Sequence, residues 1–136
     1  MSQTNELEIM ERIALDLERV EESLASSFNT GVEDFNALIR PLSAAGGKRL
    51  RAQLCLLIAN AGTSIERQRV KIAEAVEMLH LATLIHDDVL DQAEIRRGED
   101  TIHMHKGNKV AILSGDYLFA KAFKIVSEMT NMKYLQ

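Results

Sequence analysis

One proline, one cysteine and no tryptophan occur in 136 residues, and aromatic residues make up only 4% of the chain. With so little proline to interrupt helices and 46% hydrophobic residues, the chain reads as all-α and as one domain at most. The single cysteine excludes a disulfide framework. Cys55 sits in the apolar run Leu54–Ala59 and is expected to be a buried thiol in a reducing compartment. No apolar stretch reaches the ~18 residues needed to span a bilayer. Met1 to Glu11 is polar and acidic, so no secretory leader is expected and the protein is placed in the cytoplasm. A net charge of −4 argues against a nucleic-acid surface. Internal repeats and low-complexity tracts are absent.

What is present is a series of helical patterns. Asn5 with Glu8 can form a capping box, and Met10, Ile13, Leu17, Val20 and Leu24 recur at helical spacing up to Phe28-Asn29-Thr30-Gly31. A short helix from about Val32 to Ile39 is expected to stop at Pro41. A third follows from Lys48 to about Asn60. Thr63 or Ser64 can cap a long helix running to about Asp91. A loop from Arg96 to Asn108 leads to a last helix, from Lys109 to about Thr130, carrying Val110, Leu113, Tyr117, Ala120 and Ile125.

Most of the chemistry lies in the long helix. His86-Asp87-Asp88-Val89-Leu90-Asp91 sets three carboxylates and an imidazole in a largely apolar stretch. At roughly 100° per residue, His80, Asp87 and Asp91 share one stripe, while Val76, Leu79, Leu81, Ala82, Ile85, Val89 and Leu90 cover most of the remaining girth. That pattern predicts a central helix whose polar stripe faces a cavity. Like charges four residues apart repel by about 0.2–0.5 kcal/mol, and the helix dipole disfavours acids at a C-terminal end. A hard cation such as Mg2+ removes both penalties and suits aspartate oxygens. The plain alternative is a helix end with solvated acids.

Two basic clusters flank this stripe. Gly46-Gly47-Lys48-Arg49-Leu50-Arg51 is a glycine break before a helix, with Lys48 and Arg51 expected on one face of its first turn, where cations make sense against a bound anion. Downstream, Glu94-Ile95-Arg96-Arg97-Gly98 offers two guanidinium forks able to grip diphosphate, or else a C-capping pair with Gly98 ending the element. Two such clusters around one metal stripe suggest two polyanions held together.

The ordered set GGKRLR, LHLATLIHDDVLD, RRG and HKGNKVAILSGDYLFAKAF resembles the N-terminal half of trans-isoprenyl diphosphate synthases of the medium- and long-chain polyprenyl type, from roughly Leu38 to Phe123. The resemblance implies an all-α helical bundle and Mg2+-assisted condensation of isopentenyl diphosphate with an allylic diphosphate. By position, Asp87, Asp88 and Asp91 form the first Asp-rich motif, DDxxD, with Asp87 and Asp91 holding Mg2+ and through it the allylic diphosphate. Lys48, Arg51, His80 and Arg97 would contact isopentenyl diphosphate, and Arg96 the allylic diphosphate. A structural core histidine is the other reading of His80. Small residues at Ala82 and Thr83, four or five positions before Asp87, imply an open hydrocarbon pocket and a product of hexaprenyl length or longer, with Val76 and Leu79 as deeper limits.

Nothing after Phe123 resembles the second Asp-rich motif or the diphosphate-binding lysine of the family's other half. Residues 1–136 are therefore expected to be one helical unit holding half of the metal site, acting as a homodimer or as a subunit of a heteromeric synthase. Departures from the family pattern are Asp100 and Ala52, where proline is usual, and Gln92, where an acid is frequent. The competing function is a non-catalytic or regulatory helical subunit. A carboxylate-bridged di-iron bundle needs Glu-x-x-His on two helices, which this chain does not supply.

Overall fold

A computed structural model describes residues 3–44, 47–62 and 66–129. Among these residues, six helices and one small hairpin follow in order: α1 Gln3–Ser27, α2 Glu33–Ala44, α3 Leu50–Asn60, α4 Glu66–Leu90, β1 Ile95–Arg96, β2 Glu99–Asp100, α5 Ile102–Lys106 and α6 Asn108–Met129. Helix α4 is the spine, packed against α6, α3 and α1. Its Ala73, Met78, Leu81, Ala82 and Ile85 are buried, as expected of a helix with little polar girth. Among the described residues no helix is long and apolar enough to cross a membrane.

Helix α1 turns Ile13, Val20 and Leu24 into the core, but Met10 is exposed and the helix begins at Gln3, so Asn5 stands inside it rather than capping it. The turn after α1 is held by buried Asn36, whose Oδ1 accepts the Thr30 N–H at 3.0 Å and the Thr30 hydroxyl at 2.8 Å. Helix α2 does not stop at Pro41. It runs to Ala44 with the proline inside, because fully buried Ile39 and core-packed Leu42 dock it on both sides of the missing amide. Thr63, Ser64 and Gly46, invoked above as cap and break, lie outside the described residues. Cys55 is partly buried, and burial pushes its thiol pKa up.

Of the residues expected along the apolar face of α6, Ile125 is buried but Val110, Leu113, Tyr117 and Ala120 are exposed. Ala111, Ser114, Gly115, Leu118, Ala122 and Ile125 are buried, whereas Leu113 is 57% exposed and Phe123 64%. Small residues on this face let α6 lie close to α4. Leu90 of α4 is exposed as well, and so are Leu54, Leu57 and Ile58 of α3.

Candidate functional site

Helix α4 ends in a Schellman arrangement. The Ala93 amide donates to the Asp88 carbonyl at 2.9 Å and the Gln92 amide to Val89 at 3.3 Å, with Gln92 in the left-handed region at φ 52°. Asp91 thus falls one residue beyond the helix, not within it. Its amide still donates to the Asp87 carbonyl at 2.8 Å, so the two acids remain one turn apart. Both are exposed. Asp88 differs: it is buried and takes the Arg96 guanidinium in a forked grip, Nε at 2.8 and 2.9 Å from its two oxygens and Nη2 at 2.6 Å. The hydrogen bond that Arg96 donates to Asp88 raises its pKa, with the charges of Asp88, Asp87 and Asp91 adding to it.

Arg96 reaches Asp88 because the segment expected to be loop folds into a hairpin. Strand β1 pairs antiparallel with β2, Ile95 opposite Asp100 and Arg96 opposite Glu99. The two linking residues, Arg97 and Gly98, have φ of 52° and 85°, the double positive value that the tightest hairpin turns need. Gly98 is therefore a turn residue rather than a helix stop. Buried Thr101 pins the hairpin, its amide donating to Glu94 at 2.9 Å and its hydroxyl to Ala93 at 2.8 Å.

Lys48, Arg51, His80 and Arg97 meet in one cavity of about 220 Å³, walled also by Gly47 and Glu77. Their convergence has a different local cause from the one expected. Helix α3 begins at Leu50, so only Arg51 lies in its first turn, and Arg49 before it is left-handed at φ 47°. That conformation is disfavoured for a non-glycine residue, by about 1–3 kcal/mol. Arg49 is held there by Glu21, Nη2 to Oε2 at 3.0 Å, and by Glu77 at 3.6 Å. The Gln53 side chain donates to the Lys48 carbonyl. A Cβ on Gly47 would lie 3.4 Å from the Arg97 guanidinium, an ordinary contact distance that puts this residue beside Arg97. Burial lowers the His80 pKa, and the neighbouring cations, Arg51 before Arg97 and Arg96, lower it further. An imidazole beside Lys48, Arg51 and Arg97 gives this cavity a largely cationic wall, an arrangement that can hold an anion.

The other side of the acidic motif is anchored to α6. A Cβ on Gly115 would meet His86 Nε2 at 2.2 Å, so only glycine admits the ring there. His86 Nε2 lies 3.0 Å from the Ile112 carbonyl and 3.5 Å from Asp116, and the ring tilts on Phe119. The two pocket positions part company: Ala82 is fully buried in the core, whereas Thr83 is exposed, its hydroxyl donating to the His80 carbonyl at 2.7 Å. A second, mostly apolar cavity of about 170 Å³ lies between α2, α4, the hairpin and α5, with Asp88 and Arg96 in its wall.

No three His, Cys, Asp or Glu side chains among the described residues are grouped to hold a metal ion. Two exposed carboxylates one turn apart fit a Mg2+ ion that fills its remaining positions with water and phosphate oxygens. Sequence reasoning found Lys48, Arg51, His80 and Arg97 and the acids but had no place for Glu77. The one signal that could have found it is an acid three residues before His80 on the same helix face.

The Polyprenyl synthetase family model matches residues 32–136. Among curated proteins, the chain is 33% identical over 134 residues to solanesyl diphosphate synthase 1 of Arabidopsis thaliana, covering 94% of this chain and 33% of that protein. It is 34% identical over 128 residues to octaprenyl diphosphate synthase of Escherichia coli, covering 94% and 40%. Among solved structures, a Caulobacter crescentus polyprenyl synthase complexed with calcium and isoprenyl diphosphate superposes with a TM-score of 0.82 at 38% identity, over 92% of this chain and 39% of that one. A decaprenyl diphosphate synthase from Rhodobacter capsulatus gives 0.81 at 33% identity, over 94% and 40%. The chain thus spans about a third to two-fifths of the length of these relatives. By the family model, the relatives and the shared all-α fold, it belongs to the polyprenyl synthetase family.

Proposed function

We propose that this chain supplies the isopentenyl diphosphate pocket and the first half of the metal site of a long-chain polyprenyl diphosphate synthase. The observation that carries the proposal is the meeting of Lys48, Arg51, His80 and Arg97 in one cavity walled by the helix whose end bears Asp87 and Asp91. These four groups hold the diphosphate of isopentenyl diphosphate. Asp87 and Asp91 take the metal ion, and Arg96, braced by buried Asp88, faces the allylic diphosphate. Bound Mg2+ would supply Lewis-acid stabilisation of the leaving diphosphate.

Breaking the allylic carbon–oxygen bond puts negative charge on the departing diphosphate. The fixed guanidinium of Arg96 stabilises that charge more in the transition state than in the ground state. The double bond of isopentenyl diphosphate attacks the allylic cation, and the proton then lost goes to the diphosphate. His80 is a binding group here, not the base.

Small side chains at positions 82 and 83 accord with a product of hexaprenyl length or beyond, as do the names of the octaprenyl and solanesyl relatives. Since Thr83 is exposed and Ala82 buried, Thr83 is the position whose enlargement should shorten the product. Exposed Leu113, Phe123 and Val126 on α6 support assembly with a second copy or a second subunit.

The test is Mg2+-dependent binding of a non-hydrolysable allylic diphosphate analogue, read by calorimetry. Wild-type chain should bind it more tightly with the metal than without, and Asp87→Ala should lose that gain. Binding that ignores both metal and substitution would instead favour a non-catalytic helical subunit.

A further inference from the structure

Glu77 is buried on α4, one turn before His80, and its two oxygens serve two different neighbours. Oε1 accepts the Ala52 N–H at 3.1 Å, one of the first-turn amides of α3 that have no partner within their own helix. Oε2 faces the Arg49 guanidinium at 3.6 Å, which Glu21 of α1 grips from the other side. Arg49 itself is the left-handed residue between Lys48 and helix α3. One carboxylate therefore ties α4 both to the residue that bends the chain and to the first turn that the bend leads into. Lys48 lies one residue before the tied segment, and Arg51 lies within it.

We propose that Glu77 is a positioning residue, which sets where Lys48 and Arg51 stand in the anion cavity by fastening Arg49 and the Ala52 amide. This rests on the proposed role of that cavity. Simple electrostatics predicts the opposite effect of removing Glu77, since a carboxylate in the wall of an anion site repels the anion and its loss should tighten binding. A purely structural role predicts lower stability and unchanged affinity of the folded fraction. Only positioning predicts looser binding that a neutral acceptor restores.

The 136-residue chain is titrated with inorganic pyrophosphate by calorimetry in EDTA, so that the aspartates take no metal. Exchange of the Ala52 amide is followed by NMR in the same samples. Glu77→Ala should bind about tenfold more weakly, as loss of outer-shell support does elsewhere, and its Ala52 amide should exchange at least about tenfold faster. Glu77→Gln, which keeps an oxygen for Ala52, should return both to within about threefold of wild type. Equal or tighter binding by folded Glu77→Ala overturns the inference and leaves the proposed function standing. Should Glu77→Ala not fold, Glu21→Ala is read in its place: it frees the outer arm of Arg49 and should also weaken binding, and unchanged affinity overturns the inference. If wild type does not bind pyrophosphate, the proposed function falls, and amide exchange alone decides whether Glu77 holds α3. Fast exchange in wild type as well as Glu77→Ala would overturn that hold.

Discussion

Two sides of α4 carry charges, and they are arranged in opposite ways. Toward α1, each buried acid has its counter-charge in the protein. Asp16 takes Arg69 at 2.9 Å and Arg19 at 3.3 Å, and Glu74 takes Lys71 at 2.7 Å with the Ser23 and Ser27 hydroxyls at 2.7 and 2.6 Å. Toward α3 and the hairpin, Lys48, Arg51 and Arg97 share a cavity whose one acid, Glu77, is already engaged by Arg49 and Ala52. Charges balanced within the chain are architecture. Charges of one sign gathered at an open cavity stand where a ligand can reach them.

The largest expected break in that comparison is on the balanced side. Arg69→Met should destabilise the fold by about 3 kcal/mol in urea denaturation, because Asp16 is left buried with only Arg19 beside it. Adding Asp16→Leu should recover most of the loss, and neither variant should alter pyrophosphate affinity. A single variant as stable as wild type would mean that these pairs are not structural.

The faces of α4 differ in a second, smaller way. Ala82→Phe should cost about 1–3 kcal/mol by overfilling the core, while Thr83→Phe at the exposed position should leave stability within about 0.5 kcal/mol. Thermal melts compare the two. In the complete synthase, chromatography of the products should then show shorter chains for Thr83→Phe.

On the cationic side the signs reverse. Lys48→Ala or Arg51→Ala should each weaken pyrophosphate binding by about tenfold while stability stays within about 0.5 kcal/mol. A variant that loses stability but keeps its affinity would make the two sides alike.

The smallest effect is a pH dependence at His80. Its folded pKa lies below the ordinary 6.5, so as pH falls through that value the unfolded chain takes up the proton first. Stability should be full above about 6.5 and decline below it. His80→Gln should flatten the decline in urea melts run across pH 5–8. Bound pyrophosphate, by offsetting Arg51 and Arg97, should raise the His80 pKa, visible as a shift in its imidazole NMR titration.

How much of this was legible follows from range. The long α4, the acid stripe and the α1 spacing repeat every three or four residues, and local periodicity reports them directly. Met10, Pro41 and the α6 face escaped because burial there depends on which neighbour arrives. A stripe of Ala111, Ser114 and Gly115 is invisible to a search for large apolar residues, yet it is what admits His86. The hairpin at Arg97-Gly98 has strands of only two residues, too short for an alternation signal.

The amino-acid order alone determined which groups are available: three aspartates at one helix end, basic clusters on either side, and an apolar helix between them. Only the tertiary structure decided how they meet. Arg49 takes up its left-handed turn because Glu21 and Glu77, each more than two dozen positions away, hold it there, and Arg96 turns back to Asp88 through a hairpin that local propensity does not favour. Such contacts depend on distances through space between residues far apart in the chain, and no local pattern encodes those.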